Sequence, residues 1–238
     1  MFNFGTLADM QAASDIKYLK PYTITSDVTY KSSEIKEGTS ENGNSWKCVR
    51  ITFTSPDGEY TESIFWPKEG DEIRREIDGA NGGKRKLCSN FEITMAMVAA
   101  IGRAFNPEGF KKMQEISSKF KSFDDVIKAL IQILEKAKGT VSTSMKLVGK
   151  NTNGRTYARL PQPIGIVADE SYVDPNNPNN NGWCTFPVAV FGDNLMFNAY
   201  EQRKKNELES AKPTNMSEKE NEIDTPTSDS DIDFDSLL

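Results

Sequence analysis

The sequence contains no histidine. Ser-His-Asp and Cys-His nucleophilic sites are therefore excluded, as are imidazole metal ligands and an imidazole proton shuttle near neutral pH. Cysteine is scarce: Cys48, Cys88 and Cys184 are odd in number and far apart in a chain of 238 residues. They form neither a zinc spacing nor an evident disulfide framework, so they read as reduced thiols in a cytosol-like compartment. No stretch approaches the roughly 18 uncharged apolar residues of a membrane span, and the N-terminus lacks the layout of a signal peptide. A Walker A loop, a Rossmann glycine fingerprint and a paired-carboxylate motif are also missing. Carboxylate-only or lysine-based catalysis survives these cuts, but nothing in the sequence points to it. A non-enzymatic cytoplasmic protein is expected, without metal, cofactor or membrane partner.

What charge there is lies unevenly. The formal net charge is −6, from 29 Lys and Arg against 35 Asp and Glu. Residues 217–238 hold eight acids and one base, which leaves residues 1–216 with 28 bases against 27 acids. The acidity is a property of the tail, at −7, while the body stands at +1.

Along the body, residues 1–19 show no sustained period and read as an arm. Strand-like segments follow at 22–25 and 28–30, then a polar loop at 36–45. Residues 46–54 alternate, with Val49, Ile51 and Phe53 on one face and Trp46, Cys48 and Arg50 on the other. Ser55-Pro-Asp-Gly58 is a tight-turn sequence, so 59–66 reads as the returning arm. Residues 68–90 are dense in charge and glycine. A nearly all-apolar helix is expected over 91–105, a further turn from Pro107, and an amphipathic helix around 123–134 whose stripe is Phe123, Val126, Ile127, Leu130, Ile131 and Leu134. Ser122 and Asp125 resemble its capping box, and Gly139 suits the position beyond its end. Strands resume over 140–150 and 155–160 around Asn153-Gly154, a hairpin turn signal. Another apolar run covers 163–167, an exposed loop 174–182, a strand candidate 183–191 and a charged helix 194–209. Beyond Lys212 there is too little apolar surface to offset the entropy of ordering, so 212–238 reads as a disordered tail.

One local imbalance stands out. From Lys136 to Ala168 there is no acid, while Lys136, Lys138, Lys146, Lys150, Arg155 and Arg159 supply six bases. Four of these sit on the non-core face of the expected hairpin, around Tyr157. Cations that neutralise phosphates, interleaved with a ring that stacks on an unpaired base, suit a single nucleic-acid strand. Trp46 and Arg50 repeat that pairing on the earlier strand. Tyr60 and Trp66 are candidates on the third strand, where either face suits the core. The competing reading is a solvated cationic face with the tryptophans as packing residues, since aromatics favour strands in any case. In the tail, Asp231, Asp233 and Asp235 alternate with Ile232 and Phe234, and the chain closes on Leu237 and Leu238. Apolar side chains at an acidic terminus suit a pocket rimmed by Lys or Arg on a partner.

Three strands, helix, then two strands is the element order of the OB-fold. Together with the basic aromatic hairpin and a tail tipped by Ile and Phe, the chain resembles single-stranded DNA-binding proteins. The segment 145–161 and the long helical insert are similar to the bacteriophage type. The tail departs from the bacterial Ile-Pro-Phe ending, because four residues follow Asp231-Ile-Asp-Phe234. The resemblance implies a β-rich α+β fold, a five-stranded OB-fold barrel over 20–211 with a helical insertion between strands 3 and 4 (68–138) and a strand-helix extension (183–209). It implies a protein that coats and protects single-stranded DNA in replication, recombination or repair, in the cytoplasm (the host's, for a viral chain). Trp46, Arg50, Tyr60, Trp66, Lys146, Lys150, Arg155, Tyr157 and Arg159 would contact the strand. Asp231 through Asp235, Leu237 and Leu238 would recruit a polymerase, helicase or primase. A protein-interaction adaptor or virion-associated structural protein using the same barrel and tail is the alternative.

Overall fold

Residues 17–78, 84–162 and 190–211 are described by the computed structural model. β1 (Thr23–Thr39), β2 (Ser45–Ser55) and β3 (Gly58–Phe65) form an antiparallel meander. β1 is one long strand rather than the two short pieces and polar loop expected. Its polar half, Ser32 to Thr39, is held by a continuous ladder to β2 that ends at Thr39 opposite Ser45. Backbone pairing sustains a strand that its side chains do not announce. The alternation is broken by irregularities between Thr25 and Val28 and between Tyr30 and Ser32, the first of them containing Asp27 at φ 55°. Such bulges shift which residues face inward, which hides a strand from period-two reading.

The charged stretch that follows carries a two-stranded hairpin of its own, β4 (Glu76–Asp78) with β5 (Lys84–Lys86). Three helices come next: α1 (Asn90–Phe105), α2 (Pro107–Glu115) and α3 (Phe123–Ala137). Each long helix opens on a reciprocal capping box. Ser122 Oγ accepts from the Asp125 N–H at 3.3 Å while Asp125 Oδ2 accepts from the Ser122 N–H at 3.1 Å, and Ser89 and Glu92 do the same for α1. β6 (Ser142–Thr152) and β7 (Arg155–Arg159) then pair through Asn153 and Gly154. Both turn residues have positive φ, 51° and 79°, as a two-residue hairpin turn requires. A last helix, α4 (Ala199–Ser210), closes the described chain.

β6 pairs with β1, giving one five-stranded antiparallel sheet in the order β3-β2-β1-β6-β7. α1, α2 and α3 pack on one face of it. Met97, Val98, Ile101 and Phe105 of α1 and Ile127, Leu130 and Leu134 of α3 share a core with Val28, Tyr30, Val49, Ile51, Phe53, Met145 and Leu147. Phe53 stacks on Phe105 with ring centroids 5.1 Å apart, and Phe191 meets both rings. The Tyr30 hydroxyl crosses to α3, donating to Glu135 Oε1 at 2.5 Å, and burial with this bond raises its pKa to about 12.

The sheet is not closed. Among the described residues β3 and β7 share no ladder, but the residue that follows β7, Leu160, donates its N–H to Tyr60 Oη of β3 at 2.9 Å. Tyr60 in turn donates to Glu62. Desolvation raises the Glu62 carboxyl above its ordinary 4.5, so the native state keeps a proton that the unfolded chain has released. Stability is therefore expected to fall as pH rises from 4.5 through the raised native value. Glu62→Gln should flatten that slope in urea-midpoint measurements across the window. An unchanged slope would show that Glu62 does not titrate differently on folding.

Cys48 is a free, buried thiol. Cys88 is disulfide-bonded, which corrects the expectation of three reduced thiols. Cys184 lies outside the described residues, as do the apolar run 163–167, the loop 174–182, most of the strand candidate 183–191, residues 1–16 of the expected arm and the tail 212–238. Among the described residues no helix is long and apolar enough to cross a membrane.

Candidate nucleic-acid interface

Because Val49, Ile51 and Phe53 of β2 and Met145 and Leu147 of β6 face the helices, the even-numbered residues of both strands lie on the opposite face of the sheet. The register carries that face into the neighbouring strands. Trp46 is opposite Gly38, Cys48 opposite Lys36 and Phe65, and Arg50 opposite Glu34 and Ser63. In the hairpin, Lys150 is opposite Tyr157, Thr152 opposite Arg155 and Val148 opposite Arg159. The sheet thus turns Trp46, Arg50, Lys146, Lys150, Arg155, Tyr157 and Arg159 to one side.

Their surroundings divide them. Trp46 is half-buried and lies against Gly38, where an added Cβ would stand 2.7 Å from the indole. Its ring meets Phe65 edge-on with centroids 6.2 Å apart. Phe65, 37% exposed, escaped the sequence reading because Ile64, Phe65 and Trp66 run consecutively and mask the alternation; the pairing of Val49 with Ile64 settles it. Tyr157 is 48% exposed. Arg50, Lys150 and Arg155 make no ion pair among the described residues. Burial lowers the Lys150 pKa, with nearby Arg159 adding to the effect.

Three candidates are held by other partners. Tyr60 faces the core at 7% exposure, its hydroxyl held between Glu62 and Leu160. A ring buried there has no face for a base. Trp66 packs edge-on against Phe123 at 5.3 Å. Lys47 Nζ sits 4.8 Å above the Trp66 ring and 2.6 Å from Asp124 Oδ1, a bond that lowers the Asp124 carboxyl. Lys146 has the expected orientation but is 2% exposed, because α4 lays Glu201 over it at 3.0 Å. Arg159 is half-buried. It donates to Gln162 at 3.3 Å and lies in the field of Glu62 and Tyr60, while burial lowers its pKa. That position ties it to the contact between Leu160 and Tyr60 as much as to the outer face.

The tail candidates Asp231, Ile232, Asp233, Phe234, Asp235, Leu237 and Leu238 lie outside the described residues. Among the described residues no cluster of three or more Cys, Asp or Glu is arranged to hold a metal ion. The arrangement offers rings for stacking and cations for phosphate on one sheet face. No protein-family model, curated protein or solved structure matches the chain.

Proposed function

We propose that the chain is a non-enzymatic single-stranded DNA-binding protein on an OB-fold. It would coat and protect the strand in replication, recombination or repair, and its acidic tail would recruit replication proteins. The observation that carries this reading is the outer sheet face, which bears the rings of Trp46, Phe65 and Tyr157 together with Arg50, Lys150 and Arg155, cations that make no ion pair among the described residues. Rings of this kind stack on any base, and cations of this kind follow a backbone. The strand order β3-β2-β1-β6-β7, with the helices inserted after β3, supports the fold assignment. An OB-fold is a five-stranded, partly open barrel that binds oligonucleotides on strands 2 and 3 and on the loop between strands 4 and 5. On that assignment Trp46, Arg50 and Phe65 would lie in the first of those places and the β6–β7 hairpin in the second.

Fluorescence titration tests the reading. An oligo(dT) strand is expected to quench the full chain, and Trp46→Phe should remove most of the quenching while leaving the binding isotherm measurable by anisotropy. Equal quenching by the matching duplex, or no response to either nucleic acid, contradicts the proposal. The latter result would favour a protein-interaction adaptor.

A further inference from the structure

We infer that α4 is a displaceable strap, and that Glu201 occupies a phosphate position which single-stranded DNA claims on binding. The inference rests on the binding mode proposed above and concerns its regulation. Lys146 stands two strand positions from Val148 and four from Lys150 on the outer face, in line with Lys150, Arg155 and Tyr157. It is the cation of that row removed from solvent. Its Nζ donates to Glu201 Oε1 and Oε2 at 3.2 and 3.0 Å and to the Met196 carbonyl at 3.0 Å, with the Phe197 ring 5.6 Å away. A carboxylate presenting both oxygens to an ammonium group offers the contacts that a backbone phosphate would offer.

Among the described residues little else holds the helix that delivers this carboxylate. Glu201 is the buried side chain of α4, while Tyr200 and Leu208 are 60% and 41% exposed and Met196, just ahead of the helix, is 80% exposed. Its remaining charge pairs are internal, Lys204 with Glu207 at 2.8 Å and Lys205 with Glu209 at 3.9 Å. A twelve-residue helix without a buried apolar stripe gains little from packing. A buried ion pair contributes little net stability, since desolvation offsets most of the attraction. Undocking therefore belongs among the low-energy openings of the molecule. It would add Lys146 to Arg50, Lys150 and Arg155 on the outer face, and the proposal requires no other rearrangement of the sheet.

Hydrogen exchange on the full chain, with and without saturating oligo(dT), tests the strap. Amides of 199–210 are expected to exchange at least tenfold faster in the complex while those of β6 and β7 slow. Glu201→Gln should raise α4 exchange in the free protein and tighten oligo(dT) binding by about tenfold, the loss of roughly one charge-assisted hydrogen bond from the competing state. Binding of oligo(dT) with α4 exchange unchanged or slowed overturns the strap and leaves the binding proposal standing. Failure of the chain to bind oligo(dT) overturns both. The exchange measurement on the unaltered chain decides the matter even if Glu201→Gln folds poorly.

Discussion

Replacing Tyr157 by alanine is expected to weaken oligo(dT) binding by about 5- to 150-fold with no change in the unfolding midpoint. The range follows from the roughly 1–3 kcal/mol that one base–aromatic stack contributes. Tyr157 is suited to the test because nearly half of its surface is exposed and it sits across the ladder from Lys150, away from the helical core. Its removal leaves the backbone pairing of β6 and β7 intact, so an effect on binding reports the ring itself. Tyr157→Phe should retain most of the affinity, since the stacking face survives. A loss shared equally by the phenylalanine variant would point to the hydroxyl and against stacking. Anisotropy of a labelled strand gives the affinities, and urea unfolding gives the midpoints.

The largest expected loss of stability lies on the opposite face of the sheet. Phe105 is fully buried, stacked on Phe53 and met edge-on by Phe191. It joins the end of α1 to the middle of β2 and to the chain that returns after residue 190. Phe105→Ala is expected to cost about 3–5 kcal/mol, because the lost transfer energy is joined by a cavity that rigid neighbours cannot fill. For a chain of this size that corresponds to a fall in Tm of about 6–20 °C. Chemical and thermal unfolding would measure it. A cost below about 1 kcal/mol would mean that α1 is not anchored through this ring.

Much of this architecture is legible in local patterns. Ser122 and Asp125 announce the start of α3, Asn153-Gly154 announces the β6–β7 turn, and Val49, Ile51 and Phe53 announce the inner face of β2. These signals need only neighbours within a few residues. The features that local pattern misses depend on distant chain. Lys146 has the orientation its alternation predicts, yet its burial is decided by Glu201, 55 positions later, in a helix whose composition looks merely solvated. Alternation alone leaves the faces of Tyr60 and Trp66 open; the register of β3 against β2 puts Tyr60 opposite Phe53, and α3 brings Phe123 to Trp66. The second half of β1 has no apolar rhythm and exists because β2 supplies its partners. Phe65, hidden in an apolar triplet, is the addition that this register makes to the outer face.

The most direct test of the account is the salt dependence of strand binding. If Arg50, Lys150 and Arg155 neutralise phosphates, a plot of log K against log salt for oligo(dT) should fall with a slope of about −2, or about −3 where Lys146 joins them, from roughly −0.7 per phosphate contact on a single strand. Each single change to alanine should make that slope shallower by about 0.7. A slope near zero, or an affinity for matching duplex as high as for the single strand, would contradict the reading of this sheet face as a single-strand track.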